Sequence, residues 1–505
     1  MKRAAILTLV LFLISGGSVY LAASNMYEEH DKVHYTEKVL YGDRRMADGL
    51  QVDFRSTYKY HLLWDTTHIL GEKGEVETHS DYEFSTFSHY DGGEEIEYQG
   101  VTLDSHPSSV TYHNGSMGSN NMFSDDGLDK AYKELEEIVE NGEEGEKTIY
   151  LKDYMEYYPL EIRLELPGND TYTGDYFDAD AIENYDKGHG IHIIAKIWDY
   201  FKIPVLEEET FRIHLRKNKE GDIVGHGSGS TVSDAFYMYT YGVATDKDCF
   251  FTFDTLSKEG KIVDTTHLED GYGIYTFSYE MKEMNIGIYG DKPFMAAPDA
   301  DSFRLFYPLE PGIQIGAIKT NKEQDRVLLH TVEDGMYYMT VIDIATGEMV
   351  QKLEIAKCHV DYFGLHIFDK GDFMVMVLDG EKLAVVSRRK NGEYQLEYVC
   401  TIREEDLIAI QQEDNTIIEV VPWLNYYRGD VDFDGEKLVL SGQIRDDEYG
   451  TREDTANFYL AVYTKEGMQY YGEYRSSLST GTDYDNYNYH CRGTDYVPVK
   501  VKWVE

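Results

Sequence analysis

The stretch Asp430-Val431-Asp432-Phe433-Asp434-Gly435 comes nearest, by residue type and spacing, to a site that could do chemistry. Three acids on alternate positions before a turn glycine open a calcium loop in this way, gathering oxygen ligands around one ion. The full loop also needs a bidentate Glu at its twelfth position, where Ser441 stands. Val431 and Phe433 alternate as a strand does, which sends the three acids to the opposite face. Asp430, Asp432 and Asp434 are therefore the calcium candidates, set against the plainer reading of a strand entering a hairpin. The acids of the following insert, Asp446, Asp447, Glu448, Glu453 and Asp454, read as a solvated loop.

Other constellations lead less far. His189-Gly190-Ile191-His192 offers two imidazoles, but in a strand or loop this spacing does not bring both to one face. Gly225-His226-Gly227-Ser228-Gly229-Ser230 fits neither a nucleophile elbow nor a phosphate loop, and reads as a flexible connection. Retaining glycoside hydrolases need two carboxyls about 5–5.5 Å apart. With 93 acids in the chain, chance pairs are certain, so none is nominated. Trp64, Trp198, Trp423 and Trp503, with the run Tyr484–Tyr489, have rings that stack on sugars, yet they read as packing residues. No catalytic and no cofactor-binding residue is assigned.

The elements around these residues repeat. Asp379-Gly380-Glu381-Lys382-Leu383 recurs as Asp434-Gly435-Glu436-Lys437-Leu438, and Asp334-Gly335 divides two earlier apolar segments, Val327–Val332 and Met336–Ile344. An Asp-Gly between alternating segments signals a hairpin, because glycine accepts the positive φ that such a turn requires. Gly347 and Gly392 then mark a second turn twelve residues after Gly335 and Gly380. The unit reads strand, Asp-Gly turn, strand, glycine turn, strand. An earlier copy of this grammar spans Phe236–Val243, Phe250–Leu256 and Ile262–His267.

Units of about 40–55 residues with three or four antiparallel strands suit a β-propeller, whose small sheets must stack to bury both faces. Tyr337–Val350, Phe373–Val386 and Asp432–Gly442 resemble blades of propeller-repeat proteins, among them membrane-anchored ones from bacteria. The resemblance is clearest over residues 230–480 and lacks the marks of the WD40 and kelch classes; it implies architecture only. Before residue 230, Gln51–Leu70, Glu75–Tyr90, Glu161–Leu166, Ile191–Ile197 and Thr210–Leu215 read as strands, either further blades or a separate β-rich domain. Leu128, Tyr132, Leu135 and Val139 fall on one face of a helix over Leu128–Glu140, an insertion expected on the outside. The alternating segment Val497–Trp503 is placed to close a ring by pairing with an N-terminal strand.

Lys2 and Arg3 precede twenty uncharged residues, Ala4–Ala23. At about 1.5 Å per residue such a helix matches the roughly 30 Å of a bilayer core. The basic pair before it and Glu28, Glu29 and Asp31 after it place the remainder outside. The alternative is a signal peptide cut near Ala22-Ala23-Ser24. A net charge of −46 excludes nucleic acid and adsorption to anionic lipid, leaving cations, basic peptides or neutral glycans. Cys249, Cys358, Cys400 and Cys491 lack metal-site spacing and read as strand residues.

The sequence thus predicts an all-β chain: a β-propeller of about six to eight blades, seven favoured, with an N-terminal transmembrane helix and one inserted surface helix. Residues 1–25 form the anchor and 26–45 a juxtamembrane segment. Residues 46–230 form a β-rich region with the helix insertion at 127–141, and 231–505 the blades and closing strand. The expected protein is a binding, sensing or scaffold body at the cell membrane, extracytoplasmic, with a peptide, protein or glycan ligand. The alternative is a glycan-directed extracytoplasmic hydrolase with acids in the propeller channel. Calcium is the one cofactor in view.

Overall fold

The computed structural model describes residues 2–27, 31, 34–58, 62–71, 75–84, 98–104, 126–157, 161–173, 191–202, 204–205, 207–230, 239–255, 262, 264–283, 294–358, 364–402, 410–411, 417–418, 429–445, 453–477 and 499–504. Among them the chain forms three α-helices and thirty strands, each numbered in chain order. Two compact units are present, residues 1–95 with 364–505, and residues 96–363.

The first unit is built from antiparallel sheets. One holds β2 (Leu50–Tyr58), β3 (Leu62–Leu70) and β4 (Val76–Phe84), with β30 (Lys500–Trp503) on the free edge of β2. A second is β20 (Leu365–Asp369), β21 (Phe373–Leu378), β22 (Lys382–Arg388) and β23 (Tyr394–Thr401). The third runs β26 (Asp430–Phe433), β27 (Leu438–Arg445), β28 (Glu453–Thr464) and β29 (Gly467–Ser476), and β1 (Tyr35–Gly42) adds a fifth strand beyond β29. A two-residue pair, β24 (Ile410–Gln411) and β25 (Ile417–Ile418), stands apart.

Alternation along the strands makes the third sheet two-faced. Leu438, Leu440, Tyr459, Ala461, Tyr463 and Tyr471 point into one core, shared with Val375, Val377, Leu383 and Val385 of the second sheet. Val439, Phe458, Leu460, Val462, Tyr470 and Tyr474 point into another, shared with Leu50, Val52 and Phe54 of the first. Each side chain of Val or Leu size buried there stabilises by roughly 1.5–3 kcal/mol. Tyr470 and Tyr471 are thus both buried, on opposite faces of the sheet.

The second unit contains β16 (Gln314–Thr320), β17 (Arg326–Glu333), β18 (Met336–Asp343) and β19 (Met349–Lys357) as a four-stranded meander. Beside it lie β11 (Thr240–Ala244), β12 (Asp248–Phe253) and β13 (Gly273–Glu283), with β14 (Phe294–Pro298) and β15 (Arg304–Pro308) both pairing β13. Val243, Phe250 and Ile274 pack on Ile315, Ile318, Val327 and Leu329 of the meander. Cys249, Phe251, Phe253, Tyr275 and Phe277 face the other way. They meet β5 (Gly100–Asp104), β7 (Glu161–Leu166) and β8 (Asn169–Thr173), which pair in one sheet, and the core around β6 (Glu144–Tyr150), β9 (Thr210–Lys217) and β10 (Ile223–Ser230).

The turns follow the sequence where both turn residues are held left-handed. Asp334 and Gly335 have φ of 50° and 73°, the requirement of a two-residue I′ hairpin between Glu333 and Met336; Asp379 and Gly380 have 54° and 66°, and there Glu381 also stands between Leu378 and its partner Lys382. At the third copy only Gly435 is positive, and four residues, Asp434–Lys437, separate β26 from β27, so this turn is of another kind.

Helix α1 spans Lys2–Tyr27, with its side chains described from Val10 to Asn25 and at Tyr27. Among the described residues no helix is long and apolar enough to cross a membrane. Helix α2 (Asp126–Ile138) occupies the expected insertion, but it is no loose decoration: Ala131 and Leu135, with Val139 just beyond it, are buried in the core around β6 and β9.

Three expectations are corrected. Ile191–Ile197 is not a strand but the start of α3 (Ile191–Tyr200), buried at Ile193, Ile194 and Ile197. The spacing of those three isoleucines is helical, and tertiary burial overrides their β-branched preference. Gly225–Ser230 is not a connection but part of β10, bonded to β9 throughout. The third strand of the early unit is β13; Ile262 lies outside any named strand, and residues 266–267 form a turn.

Candidate functional site

Val431 buries its side chain, so Asp430 and Asp432 emerge together on the other face of β26, toward β30. There they replace a neighbouring strand. Asp430 Oδ2 accepts the backbone N–H of Val501 at 3.0 Å, and Asp432 Oδ2 accepts that of Trp503 at 2.6 Å. The other oxygen of Asp430 is ion-paired with Lys370. Asp434 turns away and caps the hairpin, taking the N–H groups of Glu436 at 2.9 Å and Lys437 at 2.7 Å. Ser441, at the twelfth position, is buried with its hydroxyl 3.3 Å from the carbonyls of Asp430 and Val499. Two of the three nominated aspartates therefore share one task, and the third has another. Among the described residues no group of three His, Cys, Asp or Glu side chains is arranged for a metal.

On its opposite edge β30 pairs with β2, Leu50 against Trp503 and Val52 against Val501. Val499 and Val501 are buried between the sheets. Lys502 lies 3.3 Å from Asp53, and the Lys437 ammonium sits 3.8 Å from the centre of the Trp503 ring. Trp503 is thus a seam residue. Trp64 is buried on β3, and Trp198 is exposed on α3. Trp423, Tyr484–Tyr489, His189, Cys491 and the acids 446–448 lie outside the described residues.

A carboxylate not singled out in the sequence holds the most perturbed acidic position. Asp254 follows β12 and is 8% exposed. Its Oδ1 accepts the backbone N–H of Ile315, and its Oδ2 accepts the hydroxyl of Tyr241, both at 3.0 Å. Burial pushes its pKa up to about 6 against the opposite pull of those two bonds. The same burial drives Tyr241 ionisation upward. A carboxyl poised near neutrality has the acidity of a general acid. Here burial is the cause, and no second carboxylate is among the groups that shift Asp254. The signal available in sequence was an acid directly ending the apolar run Cys249–Phe253.

Two histidines are buried neutral. His68 Nδ1 lies 2.7 Å from Thr78 Oγ1, and its pKa is lowered to about 4 by burial and then by the Arg44 charge. His330 Nδ1 lies 2.5 Å from the Tyr337 hydroxyl, and burial lowers it to about 3. Near His68, Arg44 pairs with Glu37 at 3.0 Å and Asp48 at 2.7 Å, and Tyr470 donates to Glu37 at 2.8 Å. His192 lies on α3 without a ligand set. Cys249 and Cys400 are free thiols buried on strands, and burial pushes Cys400 up to about 12; Cys358 lies just after β19.

No family model matches the chain, and no curated protein matches it. Solved structures to which it is similar include the β-propeller domain of Myceliophteria thermophila Cps50 (Swd1), at 10% identity over 51% of this chain and 67% of that one, with a TM-score of 0.23. The periplasmic gluconolactonase PpgL of Pseudomonas aeruginosa matches at 9% identity over 90% and 99%, TM-score 0.28. An oligogalacturonate lyase in complex with manganese matches at 10% over 89% and 98%, TM-score 0.24. At TM-scores of 0.23–0.28, no activity passes from these proteins to this chain.

Proposed function

We propose that this chain is an exported, membrane-tethered β-propeller of about six to eight blades, seven favoured, that binds or senses a peptide, protein or glycan at the cell envelope without catalysing a reaction. The observation that carries the tether is the state of α1. Leu11, Phe12, Leu13 and Ile14 are consecutive, so they circle the helix, yet they are 57%, 75%, 64% and 60% exposed. A helix apolar on every side and uncovered by protein needs a non-aqueous surrounding. Among its described residues α1 does not meet the length and apolarity of a membrane-crossing helix, so the tether rests on this uncovered apolar surface and on the basic pair Lys2 and Arg3 before it. Sheets buried on both faces support the blade reading, and commitment of Asp430, Asp432 and Asp434 to structural bonds supports a non-catalytic body.

The test is extraction of membranes at alkaline pH from cells making the chain with a C-terminal tag, followed by protease added outside. The intact chain should stay with the membrane and lose its tag to the protease. A soluble body lacking residues 1–23 would favour signal cleavage instead, and a tag shielded inside the cell would overturn the reading. The second reading, a glycan-directed hydrolase, draws on Asp254 alone; hydrolysis of an envelope glycan, abolished by Asp254→Asn, would favour it.

A further inference from the structure

We propose that the slot holding β30 is an acceptor for an extended, lysine-bearing segment of another protein, and that β30 is the chain's own occupant of that slot. This rests on the reading of the body as a binding module and names its surface and partner. Two features make the slot a receptor for a strand rather than part of a continuous sheet. One edge is the backbone of β2 and the other is a pair of carboxylates, so that Asp430 and Asp432 receive the outward N–H groups of Val501 and Trp503 where a sheet would offer carbonyls. Such contacts recognise any extended backbone in the right register, as in strand addition at a sheet edge.

The side chains set the selectivity. Val499 and Val501 fill the buried side, Lys502 reaches Asp53, and the Trp503 ring lies beneath Lys437. An incoming segment that alternates small apolar residues with lysine and ends on an aromatic ring reproduces every one of these contacts. Charge chooses its source. With 93 acids against 47 basic residues, the chain attracts a basic segment from a distance and repels a second copy of itself. The hold of β30 is also limited: it is four residues long, and its advantage over a free peptide is the finite effective concentration of a strand on the same chain. A longer or more basic strand overcomes that advantage.

The probe is the labelled heptapeptide Val-Lys-Val-Lys-Trp-Val-Glu, copied from residues 499–505, with fluorescence anisotropy as the readout. It is added to the full chain and to the full chain cut after folding at a protease site engineered before Val499. The cut chain should exchange its strand for the peptide saturably. The uncut chain should take it up at least tenfold more weakly and lose amide protection at Val501 and Trp503. Asp430→Ala with Asp432→Ala should weaken uptake at least tenfold, and a peptide with both lysines changed to Glu should not bind. A cut chain that never exchanges overturns the acceptor site. Exchange in the cut chain with none in the uncut chain at millimolar peptide overturns displacement by a partner, and equal binding of the Glu peptide overturns the basic preference. None of these outcomes depends on α1, so a failed tether and a failed slot are told apart.

Discussion

The Asp254 carboxylate and the backbone N–H of Ile315 are 3.0 Å apart and join the end of β12 to the start of the neighbouring meander. The bond ties two sheets that also pack through apolar side chains, and it does so with a group that burial makes reluctant to ionise.

Because the folded pKa of Asp254 is raised to about 6, the proton is held more tightly in the folded state. The stability this contributes is fully present below the unfolded value of about 3.9 and is lost as pH rises through about 6. Two pKa units correspond to on the order of 3 kcal/mol. Asp254→Asn keeps an acceptor for Ile315 and should flatten urea-unfolding stability against pH between 4 and 6; an unchanged slope would refute the assignment.

The buried histidines act with the opposite sign. His68 and His330 have folded values lowered to about 4 and about 3, so their contribution is present above the unfolded value near 6.5 and is lost as pH falls through those folded values. His68 is surrounded by the rings of Tyr35, Phe458 and Tyr474, so a phenyl group there keeps aromatic neighbours. His68→Phe should remove on the order of 3 kcal/mol of acid sensitivity from the unit formed by residues 1–95 and 364–505. Chemical unfolding at pH 7 and pH 4 is the measurement, and an equal loss in both proteins would count against it.

Asp432→Ala should strip the Trp503 N–H of its acceptor and cost about 1–3 kcal/mol. Faster amide exchange at Trp503 and a lower melting temperature would register this. Since the nominated aspartates already receive amides or an ammonium group, adding calcium or a chelator should leave the melting temperature unchanged. A calcium-dependent rise would restore the metal reading, because a ligand bound only by the folded state must stabilise it.

Gly42 closes β1 with φ of +71°, and a Cβ there would stand 1.9 Å from the carbonyl oxygen of Gln469. Neither atom can move without breaking the pairing of β1 with β29. Gly42→Ala should therefore cost more than the roughly 1 kcal/mol of a left-handed alanine, with β1 amides losing protection first.

What was legible in the sequence was whatever depends on neighbours along the chain. Asp334-Gly335 and Asp379-Gly380 announce their turns because few residue pairs accept two positive φ values in succession. Val499 to Trp503 announces a strand by strict alternation, and its pairing with β2 follows from a C-terminal strand needing an edge. Contacts distant in sequence hid the rest. The isoleucines of α3 carry a strand preference that burial overrides, and the glycines of β10 carry a turn preference that pairing with β9 overrides. Asp254 looks like any other acid until its surroundings are known, and Asp430 and Asp432 suggested a metal because their true partners are amides some seventy residues away.

The placement of β1 and β30 has a consequence for biosynthesis. Residues 35–42 find their partner strand only at 467–476, and residues 50–53, paired with β3 on one edge, find the partner for their other edge only at 500–503. At about 5–20 residues per second, the ribosome needs on the order of half a minute to deliver those partners. For that interval these segments wait with open edges, so the sheets of this unit close only after residue 503 has been made. A product stopped anywhere before β29 lacks the partners of both β1 and the outer edge of β2, so both seams of this unit are lost together.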